Sequence, residues 1–210
     1  MRCFPVNEPY PRVTDIISKN LGWNKEPLMR WANRCGLDGK HYHDVSAAAA
    51  RAGTLCHAMI DAHLRGAFYD TSSCDADTLL KVRSGFDNFL AWRTTVTLLP
   101  LFTETRLVSE RHRYCGTVDY VGSVNGQLSI VDWKTSDRVY PEMLLQLAAY
   151  GNLWEQNYPD KPLTGGFHLL CVSKETASFS HHHWETLPGA MEAFLHLLAL
   201  HELQPALKGL

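Results

Sequence analysis

The segment from Gly116 to Lys134, GTVDYVGSVNGQLSIVDWK, constrains the fold of this chain more than any other part of it. Asn125-Gly126 lies between two alternating runs that are rich in β-branched residues. This pattern predicts a β-hairpin, because a type I′ turn requires positive φ at both central positions and Asn-Gly tolerates it. A two-residue turn pairs Val124 with Gln127 and thereby sets the register of both strands.

The predicted register brings three polar side chains together. Counting outward from the turn places Asp119 opposite Asp132 and Thr117 opposite Lys134. Opposed residues have Cβ atoms about 5 Å apart, so two carboxylates there repel each other unless a cation lies between them. Lys134 shares a strand face with Asp132, whereas Trp133 points to the other face. The hairpin therefore predicts a small site of two aspartates and a lysine.

The carboxylate of Asp132 needs a positive partner. It follows the apolar run LSIV at residues 128–131 and so emerges from a buried strand, where an unpaired charge is costly. Hard divalent ions prefer such oxygen ligands, which favours Mg²⁺ or Mn²⁺ over softer metals. For Asp-x-Lys taken alone, the alternative is a weak cross-strand ion pair on a solvated face.

With these residues the hairpin resembles the PD-(D/E)XK nuclease superfamily, in particular its RecB-like and phage exonuclease branch, which includes the mitochondrial genome maintenance exonucleases. Gly116 and Asp119 match the branch's Gly-x-x-Asp element, and Asp132 and Lys134 match its Asp/Glu-x-Lys element. Val118 stands where the superfamily name has proline.

Two further motifs extend the resemblance over most of the chain. Gln146 and Tyr150 match the branch's Gln-x-x-x-Tyr motif, and their spacing places both on one helical face. Upstream, Gly53 to His57 resembles the Gly-x-x-x-His element, which supplies this branch with an extra metal ligand. The alternatives are a packing pair for the first motif and an ordinary core histidine for the second. All four motifs occur in the family's order. This makes the resemblance to the family more specific than a match to Asp-x-Lys alone would be.

The resemblance implies a metal-dependent DNA exonuclease that acts in phage-type recombination or DNA processing. One or two Mg²⁺ or Mn²⁺ ions, held by His57, Asp119, Asp132 and the Trp133 carbonyl, would polarise the phosphate and activate a water. Lys134 would position that water or neutralise charge that develops on the phosphate.

Other polar residues are expected to support this chemistry. Gln146 and Tyr150 would orient the strand, Lys134 or the substrate phosphate by hydrogen bonding. Glu104, on the preceding strand, could assist a metal or its water, although an exposed strand carboxylate is the simpler interpretation. The candidates for substrate binding are Arg106, Arg113, Thr135 and Ser136.

The remaining pattern predicts a fold of mixed helices and strands, α/β (α+β), with a central mixed sheet flanked by helices. The resemblance implies a restriction-endonuclease-like core. We expect one nuclease domain over residues 1–210, in which residues 1–98 are mainly helical and carry His57, and residues 99–210 form the sheet core with the hairpin. Ser46 is expected to cap an alanine-rich helix. Gly53 costs that helix about 1 kcal/mol relative to alanine, which indicates close packing against the sheet.

The approximate bounds of the other elements follow from hydrophobic periodicity. They are two short helices in 12–35, broken at Gly22 and Pro27, a helix over 79–92, a strand over 102–109, a helix over 140–158, a strand pair over 163–173 and 178–184, and a closing helix over 188–203. Tyr120 and Trp133 are expected in the core. The tract His181-His-His183 is not expected to chelate a metal, because only alternate strand residues share a face.

Charge and cysteine content limit the partners and the compartment. The net charge is −2, so contact with DNA must depend on a local basic surface. The six cysteines, Cys3, Cys35, Cys56, Cys74, Cys115 and Cys171, form no Cys-x-x-Cys pair. Residues 1–5 do not resemble a signal peptide, so we expect free thiols in a cytoplasm, that of a bacterial host if the chain is phage-encoded.

An iron–sulfur cluster, which some RecB-like relatives carry on four cysteines, is not expected, because only Cys171 follows the hairpin. No apolar run is long enough to span a bilayer, so no membrane partner is expected.

The expected partner is linear, end-bearing DNA, either single- or double-stranded. A single-strand-binding or recombination protein is an open further partner. Two alternatives to an exonuclease stay open. A structure- or sequence-specific endonuclease of the same superfamily would share the site but also cut closed circular DNA. A catalytically inactive DNA- or partner-binding module would retain the fold without hydrolysis.

Overall fold

The structure is a computed structural model that describes residues 10–136, 138–174, 176 and 178–209. Helices and strands follow one another as α1 Val13–Asn20, α2 Lys25–Leu37, α3 Tyr42–Leu64, α4 Ala76–Arg93, β1 Leu98–Ser109, β2 Tyr114–Val124, β3 Gln127–Lys134, α5 Pro141–Asn157, β4 Phe167–Val172, β5 Phe179–Trp184 and α6 Ala190–Lys208. The regular elements that the structure describes before β1 are therefore helices.

The five strands form one mixed sheet in the order β1-β2-β3-β4-β5. Strands β3 and β4 are parallel, and the other neighbours are antiparallel. A parallel pair needs a long crossover connection, and α5 lies within that connection. The mixed sheet flanked by helices confirms the predicted fold class.

Helices cover both faces of the sheet. Ile130 and Leu169 belong to a hydrophobic core with residues of α1, α5 and α6, whereas Val131 and Leu170 belong to a second core with residues of α3 and α4. Because successive strand residues point to opposite faces, the two cores lie on opposite sides of the sheet. Trp133 is 1% exposed and packs in the second core together with the buried Tyr120, as predicted.

The hairpin has the predicted turn and register. Asn125 and Gly126 have φ angles of 50° and 90°, and the ladder runs from Val124↔Gln127 to Tyr120↔Val131. The ladder described between β2 and β3 ends there, so Asp119↔Asp132 and Thr117↔Lys134 are not among its pairs. Beyond this point β3 continues alongside β4, with Asp132 in register with Leu169.

Several helix boundaries differ from the prediction, including the start of α4 at Ala76 and the end of α6 at Lys208. Helix α3 begins at Tyr42 with His41 as its N-cap, so Ser46 lies inside the helix and does not cap it. Asp44 in the first turn favours this earlier start, because a carboxylate there interacts well with the helix dipole. Pro27 does not interrupt α2, because it lies in the first helical turn, where its missing N–H is not required.

Gly53 packs closely against Thr135, the residue that follows β3, in keeping with the expected packing at the sheet. A Cβ atom at this position would lie 3.2 Å from the Thr135 Oγ1 atom. The cysteines within the described residues, Cys35, Cys56, Cys74, Cys115 and Cys171, are free thiols, and Cys3 lies outside that part of the chain. Within the described part, no helix is both long and apolar enough to cross a bilayer.

Candidate metal and phosphodiester site

Three side chains from three elements converge beside the hairpin. His57 from α3, Glu104 from β1 and Asp119 from β2 each place one ligand atom so that all three atoms lie within 4.8 Å of one another. His57 Nδ1 is 3.5 Å from Asp119 Oδ2 and 4.0 Å from Glu104 Oε1. Asp119 Oδ2 also accepts a hydrogen bond of 2.9 Å from the Trp133 N–H, which ties this carboxylate to β3.

Glu104 reaches this cluster from an irregular point in β1. Its φ angle is 45°, a value that is rare for residues other than glycine. The neighbouring residues Thr103 and Thr105 are in register with Tyr120 and Val118, on either side of Asp119. Non-glycine residues with such backbone angles cost about 1–3 kcal/mol and cluster at functional sites. The backbone conformation thus supports a role for Glu104, which the sequence suggested only weakly.

Asp132 is held next to this cluster by two donors. Its side chain is 1% exposed, and its Oδ2 atom lies 2.5 Å from Lys134 Nζ. Its Oδ1 atom accepts a hydrogen bond of 3.1 Å from Gln146 Nε2, and the same amide group donates to Tyr150 Oη at 2.8 Å. The predicted Gln-x-x-x-Tyr pair therefore orients the carboxylate of the Asp-x-Lys motif.

Gly116 allows the helix that carries this pair to approach β2. A Cβ atom at residue 116 would lie 2.6 Å from Tyr150 Cε1, well inside van der Waals contact. Any larger residue would therefore displace the Tyr150 ring. The Gly-x-x-Asp and Gln-x-x-x-Tyr motifs are distant in sequence but touch in the fold through this glycine.

Two carboxylates of the site have raised pKa values. Burial raises the pKa of Asp132, and the nearby Asp119 adds to this, so the pKa reaches about 6 although Lys134 opposes the shift. Burial likewise raises the pKa of Glu104 to about 7, with Asp119 contributing. Asp132 and Glu104 are thus costly to ionise at their positions, and a nearby cation would offset that cost.

The nearby opposite charges stabilise the charged forms of His57, Asp119 and Lys134. Burial alone would lower the pKa of His57, but the carboxylate of Asp119 outweighs it and raises the pKa to about 9. Burial would also raise the pKa of Asp119, but His57 outweighs this and lowers it. Burial would lower the pKa of Lys134, and its ion pair with Asp132 raises it instead. Three carboxylates thus share one histidine and one lysine.

This donor set fits a divalent cation. Imidazole nitrogen and carboxylate oxygen are ligands for Mn²⁺, and oxygen ligands suit Mg²⁺. Asp132 Oδ2 is buried and accepts no hydrogen bond of regular geometry from the described residues, despite its contact with Lys134. A cavity of about 460 Å³, lined in part by Gly53, His57, Asp61 and Glu104, gives access to the cluster.

The predicted substrate-binding residues lie in different places. Arg106 lines a separate cavity of about 250 Å³ next to Tyr150, and its Nε atom is buried without a hydrogen-bond partner among the described residues. Thr135 packs against Gly53, and Ser136 Oγ donates to the Arg138 carbonyl. The exposed Arg113 lies over the Tyr10 ring, so the structure does not bring it into the cluster.

The sequence interpretation missed two features that the fold creates. Asp61, one turn after His57, lines the same cavity and pairs with Arg65, and its i, i+4 spacing from His57 could have indicated this. His168 on β4 lies 2.9 Å from His181, measured from Nδ1 to Nε2, and stacks on His183. His181 and His183 lie on one face of β5, as expected for alternate strand residues, and His168 of the neighbouring β4 contacts both of their rings.

Fold and site together define an α+β protein in which a carboxylate–histidine cluster, with Asp119 buried and Glu104 exposed, lies beside an Asp-x-Lys ion pair on a mixed sheet. No protein-family model matches the chain, and no curated protein matches it. A solved structure of a candidate exonuclease from Eubacterium rectale is similar, with 10% sequence identity and a TM-score of 0.46. The match covers 73% of this chain and 65% of that protein's chain, less than two thirds of its length.

Proposed function

We propose that this protein is a metal-dependent deoxyribonuclease of the PD-(D/E)XK type that hydrolyses phosphodiester bonds from the ends of linear DNA, in phage-type recombination or DNA processing. The observation that carries this proposal is the convergence of His57, Glu104 and Asp119 within 4.8 Å of one another. The Asp132–Lys134 ion pair directly beside them supplies a buried carboxylate and an ammonium group.

His57, Glu104 and Asp119 would hold the ion, with Asp132 as a further ligand. A bound Mg²⁺ or Mn²⁺ ion supplies Lewis-acid polarisation of the phosphate and lowers the pKa of a coordinated water. The Trp133 carbonyl is a further predicted ligand of the ion. The contact described for the Trp133 backbone is made by its N–H group, which donates to Asp119.

The remaining residues of the site have roles in charge and orientation. Lys134 keeps its proton at neutral pH, because Asp132 raises its pKa, and its ammonium group can offset negative charge that grows on the phosphate. The Gln146 amide donates to both Asp132 Oδ1 and Tyr150 Oη, and so holds the Asp132 carboxylate in one orientation. This pre-orientation reduces the reorganisation required during the reaction.

Incubation with end-labelled linear DNA and closed circular DNA tests the proposal. We expect linear DNA to be shortened from an end in Mg²⁺ or Mn²⁺, no reaction in chelator, and intact closed circles. Cleavage of the circles would instead indicate an endonuclease. Binding of DNA with no cleavage in either metal would indicate an inactive binding module. The Asp119→Asn variant serves as the control for contaminating nucleases.

A further inference from the structure

A cleft lined by basic residues, which we call the lysine cleft, lies beside the N-terminal half of α3. It is separate from the metal cluster formed by His57, Glu104 and Asp119. Its volume is about 580 Å³, and it is lined by Lys40 and His41 just before the helix, by Lys81 of α4 and by Lys174 after β4. Among the described residues that line it, Asp44 is the acidic one. This described lining has three ammonium groups and one carboxylate, although the whole chain has a net charge of −2.

Two of these lysines are available to a ligand. Lys40 and Lys81 are both exposed, and neither forms an ion pair within the described part of the chain. They come from different elements yet line one cavity, so that a single anionic chain could contact both. Clustered lysines of this kind form a local positive surface of the type that binds phosphate backbones.

One ridge of α3 connects this cleft to the metal cluster. Val45 and Ala49 line the cleft, and Gly53, His57 and Asp61 line the cavity of about 460 Å³ beside His57 and Glu104. These residues are spaced four apart and therefore form a single ridge along the helix. Ala49 and Gly53 are separated by a rise of only about 6 Å, at 1.5 Å per residue.

The alanine run of α3 has a function in this arrangement. Ala48 and Ala49 line the cleft, and their small side chains leave its floor open. Longer side chains at these positions would fill the space between α3 and the lysines. The alanines therefore provide room for a ligand as well as favouring the helix.

Two exposed aromatic rings lie close to one end of this cleft, where Tyr42 follows the lining residues Lys40 and His41 in the chain. Tyr42 is 40% exposed and is stacked near His41, with ring centroids 5.7 Å apart and planes at 15°. Trp31 contacts Tyr42 edge-on at 6.3 Å and is 37% exposed. Lysines together with exposed aromatic rings are characteristic of surfaces that bind single-stranded nucleic acid, because unpaired bases can stack on the rings.

We propose that this lysine cleft binds a single-stranded segment of a DNA substrate and leads its backbone along α3 to the metal cluster. Lys40 and Lys81 bind phosphates, and Tyr42 stacks an unpaired base. This inference rests on the proposed nuclease function and specifies its substrate: the DNA must have a single-stranded part long enough to reach from the cluster to the cleft. Fully paired ends lack free bases for the Tyr42 ring and bind more weakly.

Fluorescence anisotropy with labelled oligothymidylate of roughly 16 nucleotides, in chelator, tests the cleft without hydrolysis. We expect Lys40→Glu/Lys81→Glu to weaken binding about tenfold or more. The neutral variant Lys40→Ala/Lys81→Ala should reduce the slope of log K against log salt by about 1.4, since each phosphate contact on a single strand contributes about 0.7. Tyr42→Ala should weaken binding without changing this slope.

A charge-matched control uses two lysines from elements on the opposite face of the sheet. Lys19 is exposed on α1 and Lys208 is exposed on α6, and both helices contribute to the other hydrophobic core. The variant Lys19→Glu/Lys208→Glu changes the net charge equally and should bind the oligonucleotide like the unmodified protein. If both double variants lose affinity alike, or neither does, the lysine cleft is not the binding site.

Hydrolysis of bis-p-nitrophenyl phosphate, a diester too small to extend into the cleft, separates this inference from the proposed function. We expect Lys40→Glu/Lys81→Glu to hydrolyse it at the unmodified rate while it degrades single-stranded DNA more slowly. If the variant degraded single-stranded DNA as fast as the unmodified protein does, and also hydrolysed the small diester at the unmodified rate, the cleft would not be a DNA-binding site. The nuclease proposal would still stand. Lysine-dependent binding by a protein that hydrolyses neither DNA nor the diester in Mg²⁺ or Mn²⁺ would overturn the nuclease proposal and leave the binding site standing.

Discussion

Lys134 occupies an unusual position for a lysine, because its ammonium group is directed at a buried carboxylate. Its side chain is 21% exposed, whereas that of Asp132 is 1% exposed. A buried ion pair of this kind contributes little net stability, because desolvation offsets the attraction. A role in chemistry accounts for the pair better than a role in stability does.

Replacing Lys134 tests that role. Lys134→Ala should lower the single-turnover rate of DNA hydrolysis by about 10²–10³-fold, the usual effect of removing one electrostatic contact to a transition state. The same change at the exposed Lys19 is the control and should leave the rate unchanged. A Lys134→Ala enzyme of normal rate would exclude the ammonium group from the mechanism.

Gly116 gives a second prediction for a single residue. Gly116→Ala should destabilise the fold by about 1–3 kcal/mol, because its Cβ atom would overlap the Tyr150 ring. Chemical denaturation measures this change. A Cβ atom at Gly36 in α2 would meet no neighbouring atom within 4 Å, so Gly36→Ala should be neutral or stabilising by about 0.5–1 kcal/mol. Similar effects at both positions would contradict the close approach of α5 to β2.

At the scale of secondary-structure elements, α3 and the hairpin depend on each other through His57 and Asp119. The imidazole of His57 has a raised pKa of about 9 in the fold, against an ordinary value of 6.5. A raised pKa means that the protonated form stabilises the fold. This contribution is complete below about pH 6.5 and is lost as the pH rises through about 9.

The free energy of unfolding in metal-free buffer should therefore decline between about pH 6.5 and about pH 9. In His57→Gln this part of the decline should disappear, because no group at residue 57 titrates. Urea denaturation at several pH values measures both curves. Parallel curves for the two proteins would mean that His57 does not pair with Asp119 in solution.

The hairpin shows which parts of an element the sequence can predict. The Asn125-Gly126 turn and the register up to Tyr120↔Val131 follow from local chemistry, and the structure confirms them. The end of that ladder was not predictable, because β3 continues in parallel register with β4, from residues more than 30 positions away. The φ angle of Glu104 is another long-range result of packing and has no local signal.

At the scale of the whole molecule, the fold gathers charges that are scattered along the sequence. The order of predicted strands and helices was enough to predict the mixed sheet. The motifs predicted that His57, Lys134 and Gln146 lie near Asp119 and Asp132, and the fold brings them within contact distance. The lysine cleft was not predictable, because Lys40 and Lys81 have no common motif and meet only when α3 packs against α4. A net charge of −2 therefore conceals a local positive surface.

Metal binding should stabilise the whole molecule in a pH-dependent way. A divalent ion competes with protons on Asp132, whose pKa is about 6, and on His57, whose pKa is about 9. Mn²⁺ should thus raise the melting temperature more near pH 8 than near pH 5. At 100 times the dissociation constant a bound ion adds about 2.7 kcal/mol. An increase that is independent of pH would place the ion elsewhere.

The most direct test of the proposed site is Mn²⁺ binding by isothermal titration at neutral pH, with the unmodified protein and with Asp119→Asn. We expect one or two ions to bind the unmodified protein and at least one of them to be lost in the variant, whose far-UV spectrum should be unchanged. Absence of binding to the unmodified protein, or identical binding by a folded Asp119→Asn variant, would contradict a metal site at His57, Glu104 and Asp119.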